Sequence, residues 1–241
     1  MIVERVEHPG WLSNAYLIAD ARDGHGVLVD SNGLTAELEQ RARADGIEIT
    51  HVLCTHGHAD HVVDIEAVAK RVGAPLLAHR DTDVAADERI GDGDTIRSGS
   101  LEIRALATPG HCSDHLAFLV DGTHCVTADV LFRGTVGGTA GPTGSLADLK
   151  HSILEVLLPL GDGVTVLPGH RESTTIGDER AKNPFLRAWL DGEGLGEEPC
   201  LVAGSPATLL LWADDYDGGY KALVRLASGE ETIVGGSRVE R

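Results

Sequence analysis

Thr55-His56-Gly57-His58-Ala59-Asp60-His61 places four ligand-capable side chains within six residues, and the rest of the chain is best understood outward from it. The compact apolar run Ile49–Cys54 leads into it and is expected to be a buried strand. Val62–Val72 follows, with Val62, Ile65, Val68, Ala69 and Val72 at helical spacing and Gly73 as the stop. On an extended segment alternate residues share a face, so His56, His58 and Asp60 are expected to point together. The turn into the helix then swings His61 to a neighbouring direction. Imidazole suits zinc and other transition ions, and carboxylate suits harder ones. Packing such groups beside an apolar strand is costly without a metal or a hydrogen-bond network. The run is therefore read as a metal site.

Three further candidates each follow an expected strand or sit in a Gly/Pro turn. They are His111 in Thr108-Pro109-Gly110-His111, Asp129 after the run Cys125–Ala128, and His170 in Leu167-Pro168-Gly169-His170. Loops at strand ends gather functional groups above a rigid sheet. Together with the first run they make five histidines and two aspartates, enough for two metals that share one carboxylate. The remaining histidines at 8, 25, 51, 79, 124 and 151 have no partners by spacing and are read as structural or solvated.

Around these residues the pattern is α/β. Strand signals fall at Ile2–Val6, Ala15–Ala19, Val27–Val29, Pro75–Ala78, Ile96, Leu101–Ala107, Leu116–Val120 and Val164–Leu167. Helices are expected over Leu34–Ala44, from the cap Ser145 to about Leu157, and over Asp178–Leu190 with a break near Pro184. Gly134–Gly144 holds five glycines and a proline and reads as a loop. Asp191–Pro199 reads as a linker, after which Leu209–Trp212, Lys221–Leu226 and Glu231–Val234 make a small β unit. The expected organisation is a catalytic domain over 1–192 and a β-rich appendage over 193–241. Trp212, Tyr216 and Tyr220 of the appendage are expected to pack on the main domain, with a dimer contact or a lid as the alternative.

The chain has 241 residues, 42% hydrophobic and 24% charged, as in a soluble globular enzyme. Its net charge of −18 argues against nucleic acid as partner, because that binding neutralises phosphates with Lys and Arg. No apolar run approaches the ~20 residues of a membrane span, and the N-terminus does not read as a signal peptide. Four cysteines without CxxC pairing fit reduced thiols. A cytoplasmic enzyme acting on a small molecule is the expectation.

These motifs, in this order, resemble those of the metallo-β-lactamase superfamily over residues 12 to 190. The resemblance implies an αββα sandwich with the site at one edge. It implies that Asp30, in Val27-Leu28-Val29-Asp30, supports the metal loop from behind. It assigns His56, His58 and His111 to one metal and Asp60, His61 and His170 to the other, with Asp129 bridging. The cofactors would be two divalent ions, zinc first, with iron or manganese as alternatives. Such ions would share a water whose pKa falls from ~15.7 toward neutrality, giving a bridging hydroxide as nucleophile. Asp60 is assigned to orient that nucleophile while ligating. His115, in Ser113-Asp114-His115, is assigned to the catalytic site as a wall, as in glyoxalase II-type hydrolases.

The stretches Ala128–Thr139 and Pro168–Leu186 resemble the glyoxalase II-like (hydroxyacylglutathione hydrolase-like) branch, which implies thioester hydrolysis. Gly138 stands where that branch commonly carries a basic residue, and a β appendage replaces its helical C-terminal region. The thiol carrier is thereby left open, with Arg133 and Arg171 as possible anion contacts. A persulfide dioxygenase using one iron and an endoribonuclease-like enzyme are the alternatives on a similar scaffold.

Overall fold

In the computed structural model, which describes residues 1–241, the chain forms two compact units. The first comprises Met1–Ala107, Asp114–Ala128 and Gly169–Arg171. It contains β1 (Ile2–Glu7), β2 (Asn14–Ala19), β3 (His25–Val29), α1 (Thr35–Ala44), β4 (Glu48–Leu53), α2 (Ile65–Val72), β5 (Leu76–His79) and β6 (Glu88–Ile90). Four more strands follow: β7 (Thr95–Ser98), β8 (Leu101–Ala107), β9 (Leu116–Val120) and β10 (His124–Ala128).

Strands β1 to β6 pair in sequence order, antiparallel from β1 to β3 and parallel from β3 to β6. α1 joins β3 to β4 and α2 joins β4 to β5, the crossovers that parallel pairing favours, while the shorter segment 80–87 joins β5 to β6 without a helix. Ala15, Leu17, Leu28, Val52, Leu76 and Ala78 present alternate positions to Leu38 and Ala42 of α1 and to Ile65, Val68 and Ala69 of α2. Every residue of β2 is buried, because it is covered on both faces. Strands β7 to β10 form an antiparallel meander, with β8 alternating buried and exposed positions along most of its length.

The second unit comprises Thr108–Ser113, Asp129–Pro168 and Glu172–Arg241. It holds β11 (Leu131–Phe132), β12 (Thr135–Val136), α3 (Leu146–His151), β13 (Thr165–Pro168), β14 (Thr174–Thr175), α4 (Ile176–Lys182) and α5 (Pro184–Asp191). Then come β15 (Glu198–Val202), β16 (Ser205–Asp214), β17 (Tyr220–Leu226), β18 (Glu231–Gly235) and β19 (Val239–Glu240). The last five form one sheet in the order β18-β17-β16-β15-β19, with a core of Cys200, Val202, Leu209, Ala222, Val224 and Val234.

The mixed α/β architecture expected from the sequence is present, with local corrections. The second helix begins at Ile65 rather than Val62. Val62 instead bridges to Ser31, and Val63 N donates to Ser31 O at 3.0 Å, so tertiary pairing overrides the helical spacing there. Ser145 does cap α3, accepting from Asp148 N, but helical structure continues through a widened turn at Ser152–Leu157 to Leu160. The break at Pro184 separates α4 from α5. The glycine-rich segment from Gly134 contains β12, and the segment read as a linker ends inside β15. Trp212 and Tyr220 stack on each other at 5.0 Å, while Tyr216 packs on Phe132, also at 5.0 Å.

Candidate metal centre

The run from His56 to His61 is not strand. β4 ends at Leu53, the chain leaves through Thr55, and Ala59–His61 closes one tight 3₁₀ turn. This loop-and-turn path, rather than alternation along a strand, is what gathers the side chains. The rings of His56 and His58 lie 4.7 Å apart, those of His56 and His61 4.6 Å, and those of His61 and His170 5.4 Å. His56, His61 and His170 are buried, Asp60 is half-buried and His58 is exposed.

His170 reaches this cluster because its segment is bound to the hairpin between β1 and β2. Asn14 N donates to Gly169 O at 2.7 Å, and Ser13 bridges to His170. The Ser13 hydroxyl also donates to Asp60 O at 3.0 Å, fixing the turn. Asp60 Oδ2 lies 3.5 Å from His61 Nε2 and 3.6 Å from His170 Nε2. Those separations are too long for hydrogen bonds. They match the ~3.4 Å between donors on a tetrahedral ion with bonds of about 2.1 Å. The donor set of Asp60, His61 and His170 therefore fits a metal ion on geometry as well as on chemistry.

Asp30 sets the direction of two imidazoles. Its carboxylate accepts from Thr55 N and the Thr55 hydroxyl, both at 2.8 Å, and from His61 Nδ1 at 3.0 Å. A hydroxyl has one proton, and Thr55 gives it to Asp30, so its oxygen accepts from His56 Nδ1 at 3.0 Å. Both Nδ1 atoms thus carry the hydrogen, and both Nε2 atoms keep the lone pair a metal requires. Asp30 is 2% exposed and has φ +61°, a left-handed conformation that aspartate tolerates better than most residues.

In the second unit, Gly110 lets His111 turn in beside α3. It has φ +136°, and a Cβ there would meet the Leu149 backbone at 2.3 Å. His111 Nδ1 lies 2.9 Å from Gly138 O, which can only accept, so His111 also keeps its lone pair on Nε2. That Nε2 lies 3.6 Å from Asp129 Oδ2. The residue before Asp129, Ala128, has φ +39°, an outlier for a residue with a Cβ.

His115 is 1% exposed, with its ring 5.1 Å from that of His56. It is held there by Leu116 N, which donates to Thr55 O at 2.8 Å. Cys112 is buried. Arg171 pairs with Glu7 at 3.1 Å. Sequence reasoning missed two supports. Thr55 relays Asp30 to His56, and Asp114 Oδ2 accepts from Gly57 N at 3.1 Å, holding the loop between two histidines. The signal for both was their adjacency to the motif histidines.

The model of the Metallo-beta-lactamase superfamily matches residues 8–170. The hydroxyacylglutathione hydrolase GloC of Haemophilus influenzae is 28% identical over 211 residues, covering 78% of this chain and 99% of GloC. The mitochondrial persulfide dioxygenase ETHE1 of Mus musculus is 28% identical over 193 residues, 77% of this chain and 76% of that protein. The crystal structure of ETHE1 from Myxococcus xanthus superposes with a TM-score of 0.71 at 29% identity, covering 80% of this chain and 92% of that one. The superfamily's fold is the one described above, and its members are metal-dependent enzymes. This chain belongs to the metallo-β-lactamase superfamily.

Proposed function

We propose that the chain is a metal-dependent hydrolase of thioesters or related esters. On this reading His56, His58, Asp60, His61, His111, Asp129 and His170 would hold a pair of divalent ions. Zinc is the proposed ion; iron and manganese satisfy the same donor types. When bound, such ions supply Lewis acidity and a water of near-neutral pKa. Of the chain's own residues, Asp60 would orient the nucleophilic water, Asp129 would serve as the shared carboxylate, and His115 would wall the site beside His56.

The observation that carries this reading is the Asp30 network, which leaves two imidazoles aimed with their lone pairs on Nε2. The matched region spans 99% of GloC, so that hydrolase uses no large region that this chain lacks. A second reading, persulfide oxidation with iron, draws on the likeness to the two ETHE1 proteins.

The test is a substrate panel on protein of measured metal content: S-lactoylglutathione, other thioesters, lactones, a persulfide and RNA. Thiol release from a thioester without oxygen uptake is the expected result. Oxygen consumption with the persulfide and no thioester turnover would replace the hydrolase reading with the second one.

A further inference from the structure

The family match ends at residue 170, yet the elements beyond it grip the segment that lies against His111 and Asp129. Gly137 and Gly138 lie directly against those donors. A Cβ on Gly137 would meet Asp129 O at 2.0 Å and His111 Cβ at 3.3 Å, and Gly138 O is the acceptor for His111 Nδ1. Neither glycine has a side chain with which to hold itself. The residues on either side are held instead by the C-terminal sheet.

On one side, the buried Lys221 of β17 donates to Val136 O at 2.8 Å. Its ammonium is balanced by Asp215 at 3.0 Å and lies 5.2 and 5.1 Å from the ring centres of Phe132 and Tyr216. On the other side, Thr139 N donates to Ile233 O of β18 at 3.0 Å. Ile233 N donates back to the Thr139 hydroxyl at 2.9 Å, and that oxygen lies 3.0 Å from the Thr232 hydroxyl. Val136, Thr139, Lys221, Thr232 and Ile233 are all buried, where each lost partner leaves a costly orphan.

We propose that the C-terminal β-sheet is a positioning element for the metal site. Through Lys221 and the Thr139–Ile233–Thr232 cluster it fixes the Gly138 carbonyl, and that carbonyl keeps the hydrogen of His111 on Nδ1 and the lone pair on Nε2. Thr139, Lys221 and Thr232 are positioning residues that touch no substrate. This inference rests on the reading of His111 and Asp129 as metal ligands.

The experiment measures metal affinity by chelator competition, without substrate, and the visible spectrum of the cobalt(II)-loaded protein. Thr139→Val keeps the side-chain shape and removes the hydroxyl; Thr139→Ser keeps the hydroxyl. Partners that orient a ligating histidine typically contribute about 10- to 100-fold in affinity. Thr139→Val is expected to weaken one of two bound ions by that factor and to shift the cobalt spectrum, with Thr139→Ser restoring both. If Thr139→Val does not fold, Thr232→Val, which deletes only the outer hydroxyl of the cluster, is expected to move both readouts the same way by a smaller factor.

His111→Ala is the control, expected to lose one ion. Wild-type affinity and spectrum in the folded Thr139 or Thr232 variant, with an ion lost in His111→Ala, would overturn the positioning role alone. Full metal occupancy in His111→Ala would instead remove the ligand reading beneath it.

Discussion

Asp30 illustrates how one side chain can govern a site it never joins. It accepts a hydrogen bond from His61 Nδ1 directly and from the Thr55 hydroxyl, whose oxygen accepts in turn from His56 Nδ1. Asp30→Asn preserves shape but puts an NH₂ where one acceptor oxygen stood. The expected outcome is a metal affinity reduced by about 10- to 100-fold in chelator competition, with the fold retained by circular dichroism. Unchanged affinity would show that the imidazoles are oriented without it. The cysteines make the opposite case, in which burial silences a reactive group. All four are buried thiols; burial raises Cys54 well above the ordinary thiol range and pushes Cys125 up to about 12. Since the thiolate is the reactive form, a raised pKa means less of it at any working pH. Native protein at pH 8 is therefore expected to resist iodoacetamide at Cys54 and Cys125, and urea-unfolded protein to label fully. Labelling of either in the folded state, read by mass spectrometry, would contradict that burial.

Among the elements, the junction of α4 and α5 carries a testable load. Asn183 caps α5 by accepting from Phe185 N at 3.0 Å and Leu186 N at 3.4 Å. Its amide donates to Thr135 O at 3.0 Å and to Glu179 Oε2 at 2.9 Å, tying the helix pair to β12. Asn183→Ala removes a cap worth about 1 kcal/mol and takes a donor from the buried Thr135 carbonyl at about 1–3 kcal/mol more, while Glu179 keeps Gly134 N and the Thr174 hydroxyl. A urea denaturation curve should show a loss of roughly 2–4 kcal/mol at unchanged slope. The break at Pro184 was legible beforehand, because proline interrupts a helix. So were α1 and most of the strands, since apolar periodicity is a local signal. The path of His56–His61 was not legible. A strand and a loop-plus-turn place the same residues near one another, and the choice was made by Ser31, which pairs with Val62. β6 and β19 were missed because strands of three and two residues carry no period, and β15 because Pro199 and its acidic neighbours imitate a linker. Likewise nothing local in Thr139 or Lys221 announces a role, which arises only when residues 93 and 85 positions apart meet.

On the scale of the whole molecule the dominant quantity is charge. The chain carries 38 Asp and Glu against 20 Lys and Arg, a net −18, and no helix is long and apolar enough to cross a membrane. Several of the arginines are already committed to carboxylates, Arg71 to Glu39 at 2.6 Å and Arg225 to Glu197 at 3.0 Å among them. An anionic substrate therefore approaches against an unfavourable field until it is close enough to feel the ions in the site. Screening decides how far out that repulsion acts. The Debye length falls from about 30 Å at 0.01 M salt to about 8 Å at 0.15 M. Long-range repulsion lowers an association rate just as steering raises it. For an anionic thioester, kcat/KM is thus expected to rise several-fold between those ionic strengths while kcat stays level, because the chemistry occurs after the field has been crossed. A neutral thioester or lactone measured in parallel should show a flat profile, which separates screening of approach from any effect of salt on the enzyme. A fall in kcat/KM with salt for the anion alone would mean that a local cationic mouth outweighs the global charge, and Arg133 or Arg171 would then be the side chains to replace first.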